Sequence, residues 1–160
     1  MGATGQSGPG ASVIQHRMNV LGCLSFLAAR CDLHSRLPLR VLDAIFMPAV
    51  EHGCVRLFNN DAGLPCAALI WAKLGDDTSR RMVFEGRLPS GDEWNGGANL
   101  WFLDLLAPFG HGQQIAKHIA RNPPDGPFYF ARLNDAGRIG RVVEGNALRA
   151  RGNRLRAFAV

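Results

Sequence analysis

The chain of 160 residues lacks a hydrophobic segment long enough to cross a membrane. A membrane-spanning helix takes roughly 18 or more apolar residues, and the apolar stretch at residues 20–29 is interrupted by Gly22 and Ser25. The same stretch has no signal-peptide cleavage pattern. We therefore predict neither a membrane span nor an export signal, and we expect a cytoplasmic protein.

Paired cysteines are also lacking. The four cysteines form no CxxC motif, and no His/Cys cluster has the spacing of a zinc site, so we predict no bound metal. Four reduced thiols in a reducing cytosol are the expectation for such a chain. Cys23, Cys54 and Cys66 lie among apolar neighbours, which predicts that they pack in the core.

Charged residues make up only 19% of the chain, whereas hydrophobic residues make up 47%. This balance excludes a disordered protein and fits one domain with a substantial core. The net charge of +5 favours an acidic partner, which the sign alone leaves open between nucleic acid, anionic lipid and an acidic protein.

Hydrophobic periodicity and turn residues divide the chain into a disordered leader (1–16), one folded domain (17–146) and a basic C-terminal tail (147–160). Within the domain, the pattern predicts the element order α-α-β-β-α-β-α-β-β. The predicted helices cover residues 17–30, 38–50, 80–85 and 113–121, and the predicted strands cover 55–58, 66–72, 100–106, 128–133 and 139–143, with a turn at 134–137. The expected fold class is α/β (α+β), with a mixed, mainly antiparallel sheet flanked by helices.

Asp104 lies within the nearly continuous apolar run 100–106. A buried carboxylate is costly unless it is paired or hydrogen-bonded, so an ionised Asp104 implies a cationic or donor partner. The alternative is an aspartate at a strand end that caps a turn or meets an arginine.

His34 lies in the break between the first two predicted helices, where side chains often reach a cleft. Histidine takes up and returns a proton near neutral pH, and a carboxylate such as Asp104 would fix its tautomer. The alternative is an exposed loop histidine with no role.

Gly110, His111 and Gly112 connect the strand that contains Asp104 to a predicted helix. Backbone N–H groups at such a turn attract anions and would suit the phosphate of a pantetheine-bearing donor. The alternative is an ordinary turn. Trp71 and Trp101, like Trp94, are expected in the core or in a pocket wall, with the core favoured.

Residues 101–110 read WFLDLLAPFG, and residues 33–38 read LHSRLP. With several further motifs in one order over residues 21–145, they resemble the RTX toxin-activating lysine acyltransferases, the hemolysin-activating family. Residues 101–110 are similar to the family's WFIDWIAPFG. Leu33 and His34, followed by Pro38, resemble its LHRxWPV motif. The further matching positions are Pro65, Trp71 and Ala72 (P-x5-WA), Trp94, Gly97 and Trp101 (W-x2-G-x3-W), and Arg132, Gly140 and Val142 in a late strand pair.

This resemblance implies a fold similar to the GNAT acyltransferases, with His34 and Asp104 as the catalytic residues. It implies no bound cofactor, and transfer of a fatty acyl group from acyl carrier protein, as a phosphopantetheine thioester, to lysines of an RTX protoxin. Gly110, Gly112, Trp71 and Trp101 are then the expected acyl-donor-binding residues. The basic net charge fits an acidic carrier protein. The implied partners are the carrier and the protoxin, without nucleic acid, and a homodimer is compatible with the resemblance.

The sequence departs from the family pattern at four positions, where it has Cys31, Ser35, Ala98 and Leu105. Cys31, three residues before His34, replaces a serine, and its thiol could take the acyl group first in a ping-pong route. Two other functions stay open at this point. One is a GNAT-like N-acyltransferase that uses acyl-coenzyme A, and the other is a non-catalytic basic module that binds nucleic acid.

Overall fold

The computed structural model describes residues 9–133, 139–146, 148–149 and 155–159, and these residues form four α-helices and six β-strands. The helices are α1 (Pro9–Ala28), α2 (Leu39–Glu51), α3 (Asp76–Glu85) and α4 (Gly112–Arg121). The strands are β1 (Val55–Asn59), β2 (Pro65–Leu74), β3 (Asn99–Leu106), β4 (Pro127–Leu133), β5 (Ile139–Asn146) and β6 (Leu155–Ala159). Two short 3₁₀ turns, His34–Arg36 and Gly91–Glu93, precede α2 and β3 respectively.

All six strands belong to one sheet, in the order β1-β2-β3-β4-β5-β6. Neighbouring strands are antiparallel except β3 and β4, which are parallel and are joined through α4. A parallel pair needs such a crossover because the chain has to return to the starting edge. The predicted mixed, mainly antiparallel sheet with flanking helices is confirmed.

Helices pack on both faces of this sheet. On β2, Ala68 and Ile70 face a core that also contains Leu24 and Leu27 of α1, and α2 and Met82 of α3 pack on the same side. We call this side the α1/α2 face. Leu69 lies on the opposite side, the α4 face, where Phe102 and Phe128 of the sheet pack with Ile115 and Ile119 of α4. Alternation of side chains along β2 therefore supplies both cores.

The loop between α3 and β3 is fixed by close backbone contacts. The buried Trp94 donates its indole N–H to the carbonyl of Trp71 over 3.0 Å. Gly97 lies so close to the end of β2 that a Cβ atom there would be 2.2 Å from the Gly75 nitrogen. Only glycine fits at this position without displacement of backbone.

Glu93 joins the same loop to α3. Its carboxylate closes a capping box with Ser90 and forms an ion pair with Arg81. These contacts, led by the hydrogen bond from the Ser90 backbone and followed by that from Arg81, lower the pKa of Glu93 to about 2. A carboxylate is stabilised in its charged form by such donors.

Both ends of the chain differ from the expected pattern. Helix α1 begins at Pro9 and not at residue 17, so residues 9–16 of the expected disordered leader are helical. Proline suits the first turn of a helix, but residues 10–18 are exposed and carry no apolar periodicity that would predict one. Strand β6 lies within the expected basic tail and pairs with β5. Residues 1–8 of the leader and the predicted turn 134–137 lie outside the described residues.

Candidate active site

His34 and Asp104, which are 70 positions apart in the sequence, meet in the structure. Nε2 of His34 lies 2.8 Å from Oδ2 and 3.0 Å from Oδ1 of Asp104. His34 is supplied by the 3₁₀ turn between α1 and α2, and Asp104 by the middle of β3. Both side chains are largely buried, with 10% and 15% of their side-chain surfaces exposed. The predicted pairing of these two residues is therefore present.

A β-bulge in β3 turns Asp104 toward His34. Phe102 of β3 pairs with Trp71 of β2, but the next residue back along β2, Ile70, pairs with Asp104, so that Leu103 is an extra residue. In a regular strand, Asp104 would project on the same face as Phe102, toward α4. The extra residue reverses this alternation, and Asp104 projects on the α1/α2 face with Ile70.

The pair lines a cleft between two strands that separate. β3 and β4 are paired at only three positions, of which Phe102 with Phe130 is the last. Beyond this point lies a cavity of about 360 Å³. Its walls come from the 3₁₀ turn and from β2, β3 and β4: Leu33, His34, Leu69, Phe102, Leu103, Asp104, Leu105, Phe130, Ala131 and Arg132.

Hydrogen bonding defines which atom of His34 can accept a proton. An ionised carboxylate is an acceptor only, so Nε2 carries the hydrogen and donates it to Asp104. Oδ1 of Asp104 also accepts the backbone N–H of Leu105 over 2.8 Å. Nδ1 of His34 is buried and has no hydrogen-bond partner among the described residues. This nitrogen holds the lone pair, which makes it the basic atom of the pair.

The thiol of Cys31 is in an environment that disfavours the thiolate. Burial raises its pKa, and the charges of Asp104 and Asp32 raise it further, while the backbone of Ala107 lowers it by hydrogen bonding. The nucleophilic form of cysteine is the thiolate. Cys31 is therefore close enough to Asp104 for that charge to raise its pKa, and this environment disfavours the thiolate that an acyl-cysteine route would use. The assisting role of Cys31 stays a prediction.

The four residues expected to bind the acyl donor do not line the cleft. Gly110 lies in the turn before α4 with φ of +84°. Gly112 is the first residue of α4, where an added Cβ would lie 4.0 Å from the cleft residue Leu105. Trp71 is half-buried, and Trp101 is buried and packs in the core of the α1/α2 face. Their role in donor binding stays a prediction, while the preferred core placement is confirmed for Trp94 and Trp101.

Three further residues of the cleft are not among the predicted site residues. Leu33 and Phe130 provide apolar wall, and Arg132 is an exposed cation at the cleft. Leu33 and Arg132 match the family pattern, but the sequence assigns them no role. Its place at the cleft depends on where β3 and β4 stop pairing, which a single sequence does not reveal.

Three other properties bear on the kind of site. Within the described ranges, no group of three or more His, Cys, Asp or Glu side chains is placed to hold a metal ion. In the same part of the chain, no helix combines the length and hydrophobicity needed to cross a bilayer. All four cysteines are free; Cys54 and Cys66 are buried as predicted, and Cys23 is half-buried.

A comparison with known families bears directly on this site. The model of the RTX toxin acyltransferase family matches residues 13–143, which include the 3₁₀ turn with His34 and the whole of β3. The chain belongs to the RTX toxin acyltransferase family. It is thus an acyltransferase, and the resemblance found in the sequence motifs is confirmed.

Individual relatives agree with this assignment. The RTX-I toxin-activating lysine-acyltransferase of Actinobacillus pleuropneumoniae is 32% identical over 125 residues, which cover 78% of this chain and 72% of the relative. The leukotoxin-activating lysine-acyltransferase of Aggregatibacter actinomycetemcomitans is 30% identical, over 81% of this chain and 76% of its own. A protein-lysine myristoyltransferase of Kingella kingae is 28% identical, over 80% of this chain and 76% of the relative.

Proposed function

We propose that this acyltransferase transfers a fatty acyl group from acyl carrier protein to internal lysine residues of an RTX-type protoxin and thereby activates it. The observation that carries the proposal is the His34–Asp104 pair, with Nε2 2.8 Å from Oδ2, in a cleft of a chain whose relatives are toxin-activating lysine acyltransferases. The sheet, with its bulge and its separating parallel strands, supports a GNAT-like fold for this reaction.

His34 is the general base. The target lysine is protonated at neutral pH and has no lone pair for attack. The ammonium first loses one proton to solvent by way of Nδ1 of His34, and the freed amine attacks the thioester carbonyl carbon to form a C–N bond while Nδ1 takes up a second proton from the same nitrogen. When the tetrahedral intermediate collapses, the C–S bond breaks, and His34 returns a proton to the leaving sulfur. The products are an amide on lysine and the free thiol of the carrier.

Asp104 orients the base. Its two oxygens hold the Nε2–H group, which directs Nδ1 away from the carboxylate, and its charge stabilises the imidazolium that forms during transfer. Burial of the pair makes this interaction stronger than it would be in water. Nδ1 is buried in this structure, so a lysine amino group that reaches it loses its hydration. Loss of hydration disfavours the charged ammonium and therefore favours the neutral amine.

The separated strands β3 and β4 are the proposed path of the phosphopantetheine arm. Backbone groups that face the opening, beyond Phe102 and Phe130, would be available to the amides of an extended arm. The N-terminus of α4, at Gly110 and Gly112, would receive its phosphate. The net charge of +5 favours an acidic carrier. The four free thiols support a cytoplasmic location, and a homodimer stays part of the proposal.

The test is mass spectrometry of lysine acylation. The protein is mixed with acyl carrier protein charged with a C14 or C16 chain and with an RTX protoxin fragment. Wild type should add the acyl mass to a lysine, whereas His34→Ala and Asp104→Ala should not. His16→Ala, an exposed histidine on α1, is the matched control and should behave as wild type. Transfer from acyl-coenzyme A but not from the carrier would instead support a general GNAT-type enzyme.

A further inference from the structure

A second cavity lies on the α1/α2 face, between α3 and the strands β3 to β6. Its volume is about 350 Å³, close to that of the cleft at His34. Its inner wall is formed by Trp101 and Tyr129, whose rings stack with centroids 4.9 Å apart. Val83 of α3 and the buried Val142 of β5 also line the cavity, and so do two exposed aromatic residues, Phe84 and Phe158, which we call its mouth.

This second cavity shares no lining residue with the catalytic cleft, but the two are lined by neighbouring residues of β3 and β4. Because of the bulge at Leu103, Trp101 and Asp104 project on the same face of β3. Trp101 pairs with Tyr129 immediately before the position where β3 and β4 separate. Ala131, two residues beyond Tyr129, lines the cleft, and two residues of a strand span about 7 Å. A chain attached to a carbonyl carbon at His34 therefore has only a short distance to run along the sheet before it enters the second cavity.

The chemistry of the second cavity favours a hydrocarbon. Four of its polar side chains are already paired: the indole N–H of Trp101 donates to Oγ of Ser79 over 3.0 Å, and the amide of Asn99 donates to Asp76 over 2.7 Å. Apart from the exposed Arg80 of α3, the rest of the lining is aromatic and aliphatic. A ligand rich in hydrogen-bonding groups would find few partners there, while an apolar ligand loses nothing by entering.

The size and the mouth of the second cavity fit a long chain. A cavity of roughly 150 Å³ accommodates the six carbons of benzene, so about 350 Å³ has room for roughly a dozen carbons. Phe84 and Phe158 at the mouth are 72% and 50% exposed. Exposed aromatic side chains beside an apolar cavity mark a binding surface, because a ligand that covers them removes apolar surface from water.

We infer that this second cavity binds the fatty acyl chain of the donor, while the thioester carbon is held at His34. The inference rests on the proposed acyl transfer and adds the site that determines the selectivity for acyl chain length. Each methylene that the cavity buries contributes a factor of about four to binding, from about 0.8 kcal/mol per CH₂. Catalytic efficiency should therefore rise steeply with chain length until the cavity is full.

Val83→Phe tests this by filling the second cavity. With carrier protein charged with C6, C10, C14 and C16 chains, kcat/KM for C14 should fall at least about tenfold, equivalent to fewer than two lost methylenes, while kcat/KM for C6 stays within about twofold. Val55→Phe is the matched control, because Val55 is also a half-buried valine packed against the same core but does not line the cavity. It should leave the chain-length profile unchanged. An unchanged profile in Val83→Phe, or an equal loss at every length, would overturn the inference.

A binding experiment separates this inference from the proposed reaction. A C14 fatty acid with a diazirine at its far end is irradiated with the protein, and the labelled peptides are identified by mass spectrometry. We expect labels on α3 or on the strands beneath it, and loss of these labels in Val83→Phe. Phe84→Ser, at an exposed position that carries little folding risk, should also weaken them.

The outcomes are distinct. Labelling of α3 without any acyl transfer would overturn the proposed function and retain the binding site. Acyl transfer with labels elsewhere, unaffected by Val83→Phe, would overturn the binding site and retain the function.

Discussion

Replacing Asp104 with asparagine preserves the shape of the side chain and removes its charge. The carboxylate of Asp104 offers two oxygens to Nε2 of His34, at 2.8 and 3.0 Å, and Oδ1 also accepts the N–H of Leu105. An amide has one accepting oxygen and no negative charge, so the bond to Oδ2 is lost and the remaining bond to His34 is no longer charge-assisted. Loss of a hydrogen bond to a charged group costs about 1.5–3 kcal/mol. At 1.36 kcal/mol for each factor of ten, kcat should fall on the order of 10- to 100-fold.

The assay for this variant is the initial rate of lysine acylation, followed by mass spectrometry of the intact acceptor at saturating acyl donor. His34→Ala removes the base itself and should lose about 10²- to 10⁴-fold. Because Asp104 acts through His34, the double variant His34→Ala/Asp104→Asn should be no slower than His34→Ala alone. Thermal unfolding of each variant controls for loss of the fold. A rate for Asp104→Asn within about threefold of wild type, or multiplied losses in the double variant, would refute the orienting role.

Three other predictions concern single positions. Cys31→Ala should retain near-full activity, since burial raises the pKa of this thiol and keeps it protonated; an acyl-cysteine in quenched reactions would contradict this. Gly97→Ala should lower the free energy of unfolding by about 1–3 kcal/mol or more, because its Cβ would meet backbone at 2.2 Å. Gly22→Ala in α1, with no atom within 4 Å, should raise it by about 0.5–1 kcal/mol, and urea unfolding measures both. Glu93, with its pKa lowered from 4.5 to about 2, stabilises the fold above pH 4.5 and loses this contribution as the pH falls toward 2. Glu93→Gln should therefore be less stable than wild type at pH 6, with a difference that shrinks at pH 3; equal differences at the two pH values would show that the charge has no part.

The pairing of His34 with Asp104 could be predicted from the sequence, because each residue requires a partner of the kind that the other provides. A carboxylate such as Asp104 inside an apolar strand requires a donor, and a histidine in a break between helices requires an orienting group to act as a base. Strands β1 to β5 were also predictable, since turn residues mark their ends. These arguments need only local sequence, and the structure satisfies both.

The missed elements have a common cause. Residues 10–16 in the first turns of α1 and residues 156–158 of the edge strand β6 are exposed, and neither segment has the alternation of apolar and polar residues from which elements are predicted. Formation of the first turns of α1 depends on helix propensity, and formation of β6 depends on its pairing with β5. The second cavity was missed for a different reason: it exists only through the pairing of Trp101 with Tyr129, a long-range register that composition does not encode.

The bulge at Leu103 could not be predicted, because it leaves the hydrophobic pattern of the strand unchanged. In the run 100–106 both faces of β3 are apolar, so a shift of one residue changes nothing in the hydrophobic pattern. It does change the face on which Asp104 projects. A bulge also bends its strand, and β3 and β4 cease to pair at Phe102 and Phe130, directly beside it. One extra residue thus places the carboxylate beside His34 at the point where the sheet opens for a substrate, and both effects would be lost together in a chain from which Leu103 was removed.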